Sequence, residues 1–153
     1  MVESSRKQAQ NFIKDNDDFD LSKTDDADYS SALLSKVPNK GHVLDAGCGS
    51  GRNITVLQQH FKHITLLEQK ADALKQAKKI AGKYLSQAVR VKIQDLQLTE
   101  LTHEFDCVFI HCVMGYLSNV QFVNFLKTIR HKLAKGGTIV LRENINDGTS
   151  NEK

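Results

Sequence analysis

Apolar residues along this chain recur at spacings of three to four in some stretches and form short continuous or alternating runs in others, laying out a series of helices and strands. A short helix is predicted at Ser5 to Lys14, while Asn16 to Asp26 is too polar to pack. A core-facing helix is predicted over about Asp28 to Val37, where Tyr29, Leu33 and Val37 fall at i, i+4 and i+8, and Pro38 ends it. Strand 1 follows at His42 to Ala46, then a helix over about Arg52 to Phe61 with Ile54, Leu57 and Phe61 on one stripe, then strand 2 at His63 to Glu68. A helix over about Ala71 to Leu85 places Leu74, Ala77, Ala81 and Tyr84 on one face. Strand 3 is predicted at Ala88 to Ile93, where alternation suits an edge position with one wetter face. Strand 4, Phe105 to Ile110, is apolar apart from Asp106 and belongs inside the sheet. Ser118-Asn119-Val120-Gln121 spells a capping box for a helix that buries Phe122, Leu126, Ile129 and Leu133. Lys135-Gly136-Gly137 stops that helix, and strand 5 runs from Thr138 to Arg142. Alternating strands and helices imply an α/β fold: a parallel sheet joined by right-handed crossovers.

Composition fits one soluble domain. At 153 residues and 40% hydrophobic content there is room for a single core. No apolar run approaches the ~20 residues that cross a bilayer, and no signal-peptide segment opens the chain, so a cytoplasmic protein without a membrane partner is expected. The cysteines, Cys48, Cys107 and Cys112, are three in number and form no C-x-x-C pair; they read as reduced thiols, with no metal site. Net charge is only +3, but residues 1 to 28 carry eight acids against four bases, which leaves the remainder at +7. That excess reads as solvated helix faces, because no aromatic residues interleave with the lysines as in a nucleic-acid surface. Residues 1–27 are expected to be an acidic, flexible leader, 28–145 the folded domain and 146–153 a polar tail.

The chemistry centres on Asp45-Ala46-Gly47-Cys48-Gly49-Ser50-Gly51-Arg52, between strand 1 and the next helix. Gly47, Gly49 and Gly51 let the loop adopt positive φ and let a ligand approach the backbone, with the amides of the following helix facing it. A dinucleotide loop would read G-x-G-x-x-G, whereas here Arg52 stands at the third glycine's place. Glu68 closes strand 2 seventeen positions after Gly51, where an acceptor-only carboxylate suits two ribose hydroxyls; an ion pair with Lys70 or a helix cap is the plainer alternative. Asp95 follows strand 3, placed for an exocyclic adenine amine with Gln69 and Leu96 beside the ring, or else it is simply a turn aspartate. Asp45 is expected to serve the backbone or a water near a ligand amine, and Arg52 a ligand carboxylate. Beyond strand 4, His111 is a candidate base or a residue packed on the cofactor, and Tyr116 lines the acceptor pocket or joins the core. Cys112 and Met114 read as packing residues.

The D-x-G-x-G-x-G spelling resembles the first motif of the class I S-adenosylmethionine-dependent methyltransferases. That resemblance implies a Rossmann-like sheet in the order 3-2-1-4-5 with helices on both faces, and S-adenosyl-L-methionine as cofactor. The family's antiparallel strand pair after strand 5 has no counterpart in the polar residues that follow here, so a homodimer, a partner chain or the N-terminal segment is expected along the strand 5 edge. Within the superfamily, His42 to Asn144 looks most like the protein α-N-terminal methyltransferases, on the glycine loop with Arg52, on Cys112-Val113-Met114-Gly115-Tyr116-Leu117-Ser118 and on Leu141-Arg142-Glu143-Asn144. The resemblance implies that Asn144 holds the substrate N-terminus and that Arg52, Glu68, Asp95, Leu96 and His111 hold the cofactor. His111 or Tyr116 would adjust the proton of the amine, and Asn144 or Glu143 would orient it. This chain departs from the family where it has Tyr116 in place of a histidine and Cys112 in place of a tryptophan. A small-molecule methyltransferase and a catalytically degenerate interaction subunit are the competing readings; a nucleic-acid methyltransferase ranks below both, for want of a base-flipping motif such as N-P-P-Y.

Overall fold

The computed structural model describes residues 26–143. The expected leader helix at Ser5 to Lys14, the polar tail and Asn144 lie outside these residues. Five strands form one sheet in the order β3-β2-β1-β4-β5 that the resemblance implies, every neighbouring pair parallel. The strands are β1 (His42–Ala46), β2 (His63–Glu68), β3 (Leu85–Arg90), β4 (Phe105–His111) and β5 (Leu133–Arg142). The helices are α1 (Asp26–Ser35), α2 (Ile54–His60), α3 (Ala71–Ala81) and α4 (Asn119–Arg130).

Alternation along β1 decides which helices lie on which face. Val43 points into a core with Leu34 and Val37 from the α1 region, Ile54 and Leu57 of α2, and Leu74, Ala77 and Ala81 of α3. Its neighbour Leu44 points the other way, into a core with Phe125 and Ile129 of α4 and Leu96 and Leu101 from the turns after β3. All five β1 residues are buried, including the polar His42 and Asp45, as the inner place of this parallel strand requires. β3 and β5, paired on one side only among the described residues, are half-buried over most of their length. The polar exception in β4 anchors the start of β1, since Asp106 Oδ2 accepts the His42 N–H at 2.8 Å.

Several boundaries differ from the sequence expectation. The buried stripe of the first helix runs through Ser30, Leu34 and Val37 rather than Tyr29, Leu33 and Val37. Arg142 explains the shift, because its guanidinium lies 4.7 Å from the Tyr29 ring centroid and its Nη1 donates to Ser30 Oγ at 2.9 Å, drawing that side toward the end of β5. The third helix ends at Ala81, not Leu85, because Gly82 adopts φ +50 and a 3-10 turn over Gly82–Tyr84 leads straight into β3. β3 therefore starts and ends three residues before the predicted strand. α4 ends at Arg130, so Leu133 belongs to β5, and Phe125 takes the fully buried place expected for Leu126. Lys135-Gly136-Gly137 is then a bulge inside β5, with register jumping from Phe105↔Leu133 to Cys107↔Thr138.

No helix among the described residues is long and apolar enough to cross a membrane, and no group of their His, Cys, Asp and Glu side chains is arranged to hold a metal ion.

Candidate functional site

The loops at the carboxyl ends of β1, β2, β4 and β5 meet above the sheet, the place where an open parallel sheet offers a crevice. The glycine loop is held to β2 by three amides. Gly47 and Cys48 N–H both donate to Leu67 O at 2.9 Å, and Gly49 N–H donates to Glu68 Oε2 at 2.9 Å. The other Glu68 oxygen takes the Lys70 N–H at 3.0 Å, so one carboxylate ties the loop to the entry of α3. Each oxygen of an ionised carboxylate has a second lone pair, which leaves acceptor capacity for ligand hydroxyls.

The three loop glycines have positive φ of +76, +56 and +101 but different reasons to be glycine. A Cβ on Gly47 would sit 2.8 Å from Val113 Cγ2, and one on Gly51 would sit 2.9 Å from Ile54 Cδ1 and 3.1 Å from Ala77 Cα. Those two make room for packing. A Cβ on Gly49 would meet nothing within 4 Å, so its backbone faces open space.

Beneath the loop Asp45 is 1% exposed, and its Oδ2 has no hydrogen-bond partner among the described residues. Burial, reinforced by the charge of Glu68 and opposed by Arg52, pushes its carboxyl up to about 7. A buried, unpaired carboxyl oxygen is costly and suits a site that receives a donor from a ligand.

On the β4 side, His111 is 6% exposed and packs at 5.9 Å from the Phe109 ring. Its Nδ1 lies 3.1 Å from Asn53 Oδ1. Arg52 Nη2 stands at the ring, 3.3 Å from Nδ1 and 3.4 Å from Nε2. Asn53 occupies the N-cap of α2 yet makes no side-chain cap bond, because its amide reaches across to β4 instead. Sequence reasoning missed Asn53; an Asn directly after the glycine loop was the available signal.

The structure thus joins Gly49 to Glu68 and Arg52 to His111. Asp95 lies on the 3-10 turn Ile93–Asp95, exposed, with Leu96 buried behind it in the α4-side core; Gln69 is exposed at the end of β2. Tyr116 is 83% exposed on the 3-10 turn Met114–Tyr116, so it does not join the core, and Met114 is exposed beside it rather than packed. Burial raises the Cys48 thiol well above the usual range and the Cys107 thiol to about 12, so neither is a thiolate. An open hollow of about 410 Å³ between α3 and β3, rimmed by Lys75, Lys78, Lys79 and Arg90, touches none of the loop residues.

A family profile described as a methyltransferase domain matches residues 44–139. The chain is similar to an alpha N-terminal protein methyltransferase 1 of Dictyostelium discoideum, 30% identical over 120 residues that make up 76% of this chain and 44% of that one. It is 29% identical over 128 residues to the human N-terminal Xaa-Pro-Lys N-methyltransferase 1, covering 76% of this chain and 55% of that one. The chain therefore spans about half the length of the relatives it matches. Among solved structures it superposes on a Leishmania major S-adenosylmethionine-dependent methyltransferase with TM-score 0.72 and 26% identity, over 80% of this chain and 50% of that one.

Proposed function

This chain belongs to the methyltransferase-domain family, and on that premise we propose that it binds S-adenosylmethionine across the glycine loop and directs methyl transfer to a protein N-terminal amine. The observation that carries the cofactor half is the bond from Gly49 N–H to Glu68 Oε2 beside an open Cβ position, with the unpaired Asp45 oxygen beneath. These residues fit the cofactor's chemistry. Glu68 would accept the ribose hydroxyls, Arg52 would face the methionine carboxylate, and Asp45 lies under the loop where a cationic amine would relieve its orphaned oxygen. Asp95 and Gln69, both exposed, would flank the adenine, with Leu96 backing them from the core.

When bound, the cofactor supplies an electrophilic methyl group on a sulfonium. The protein's part is alignment, because an in-line displacement needs the acceptor lone pair pointed at that methyl. An α-amine has a pKa of ~7.7 to 8, so on the order of a tenth of it is neutral at pH 7 and ready to attack. His111 is buried and shared between Asn53 and Arg52, which supports a role in holding Arg52 against the cofactor. Tyr116, exposed on the turn after β4, would meet the acceptor amine, with Asn144 orienting the terminus.

The acceptor half is supported by the two protein N-terminal methyltransferases to which the chain is similar. Its test is transfer of labelled methyl from S-adenosylmethionine to a peptide beginning Xaa-Pro-Lys, compared with the same peptide acetylated at its terminus. Label on the free peptide alone, reduced by Tyr116→Phe and Asn144→Ala, is expected. Equal labelling of both peptides, or unchanged turnover in both variants, would overturn the terminal-amine reading. Labelling of small amines alone would point to a small-molecule enzyme.

A further inference from the structure

We propose that Glu143 is a positioning residue for the acceptor side of the site: its carboxylate fills a nest of backbone amides after β4 and thereby fixes the turn that carries Tyr116. The functional half of this proposal rests on the methyltransferase reading above; the structural half does not.

Cys112 has φ +56, the one non-glycine residue with positive φ among the described residues, and Val113 follows at φ −108, ψ −31. A left-handed residue followed by a right-handed one turns successive N–H groups to the same side, and such a concavity binds anions. All three amides of the concavity are taken by the end of β5. Cys112 N–H donates to Arg142 O at 2.9 Å, while Val113 and Met114 N–H converge on Glu143 Oε1 at 2.7 and 2.9 Å. Hydrogen bonds to an ionised acceptor are the strong ones. A left-handed backbone at a residue with a Cβ persists only where its surroundings over-determine it, and these three bonds do so.

Downstream of the nest the chain enters the 3-10 turn, closed by Tyr116 N–H to Val113 O at 3.0 Å and Leu117 N–H to Met114 O at 3.2 Å. The Tyr116 side chain is almost wholly exposed, so core packing does not place its ring. Its position depends on the turn's backbone, and that backbone depends on Glu143.

The test combines amide hydrogen exchange with kinetics on the full chain, comparing Glu143→Ala and Glu143→Gln with the unaltered protein. Glutamine keeps a carbonyl oxygen for the two amides, while removing the charge and turning the other oxygen into an NH2 donor. In Glu143→Ala, exchange at residues 113–116 is expected to speed up on the order of tenfold or more. Its calorimetric affinity for S-adenosylmethionine stays unchanged, and KM for the acceptor rises while kcat changes little. Glu143→Gln restores most of the protection and most of the KM. Unchanged exchange in Glu143→Ala would overturn the proposal, as would a glutamine variant as defective as the alanine one, or cofactor affinity lost in step with KM. If Glu143→Ala fails to fold, exchange in Glu143→Gln decides: protected amides support the nest, and exchange as fast as in an open loop refutes it. Failure of the unaltered protein to bind cofactor or to methylate any acceptor would remove the methyltransferase reading, and the exchange result would still judge the nest.

Discussion

The Gly49 N–H donates to Glu68 Oε2 at 2.9 Å, so the residue that ends β2 also sets the height of the glycine loop above β1. Because its second oxygen takes the Lys70 N–H, removing this side chain unties two backbone segments at once. Glu68→Ala is expected to lose about 1 to 2 kcal/mol of stability, discounted because the carboxylate is half-buried. Glu68→Gln, which keeps one acceptor, loses less. Thermal melts of the two variants at one pH check the order.

Gly49 and Gly51 differ in kind. Gly51→Ala forces a Cβ to within 3.1 Å of the Ala77 backbone at φ +101, and it is expected to destabilise the fold by about 3 kcal/mol or more. Gly49→Ala adds a methyl to open space at φ +56, at a cost of roughly 1 to 2 kcal/mol. The alanine at 49 should nonetheless impair cofactor binding more than its stability loss explains, since its methyl stands where a ligand would approach. Denaturant melts paired with cofactor titration separate the two.

The bounds of β1 and β2 were legible because short apolar cores, Val43-Leu44 and Ile64 to Leu67 interrupted only by Thr65, lie between turn signals, and both strands stand at their predicted bounds. β3 was misplaced because Ser86, Gln87 and Arg90 make a weak alternation and Gly82, the actual helix stop, lies inside an otherwise periodic stretch. In the candidate site, the place of Glu68 after the glycine loop is legible in the sequence, and the structure adds its bonds to the Gly49 and Lys70 amides. The contacts of Asn53 with His111 and of Glu143 with Val113 and Met114 join residues 29 or more positions apart, and no local spacing encodes them.

Two buried groups oppose each other in acid. Asp45 is raised from 3.8 to about 7, so between those values the folded state holds a proton that the unfolded chain has released, and stability declines as pH rises through 7. His42 is lowered from 6.5 to about 4 by burial and by His103 and His63, against the pull of Asp106, so its contribution is full above 6.5 and lost as pH falls toward 4. The two slopes partly cancel in the unaltered protein. Asp45→Asn should therefore gain stability relative to it as pH rises from 5 to 8, on the order of a few kcal/mol over the window. His42→Gln should gain relative stability as pH falls from 7 to 4.5. Melting temperatures across pH check both; a flat difference for either variant would contradict its assignment.

The central claim is that the glycine loop and Glu68 together form the S-adenosylmethionine cradle. Calorimetric titration of S-adenosylmethionine into the full chain and into folded Glu68→Ala tests it most directly. The expected result is saturable one-to-one binding that weakens on the order of tenfold or more in the variant, matching the loss of charge-assisted bonds to ribose. Absence of binding at millimolar cofactor, or equal affinity in the two proteins, would contradict it.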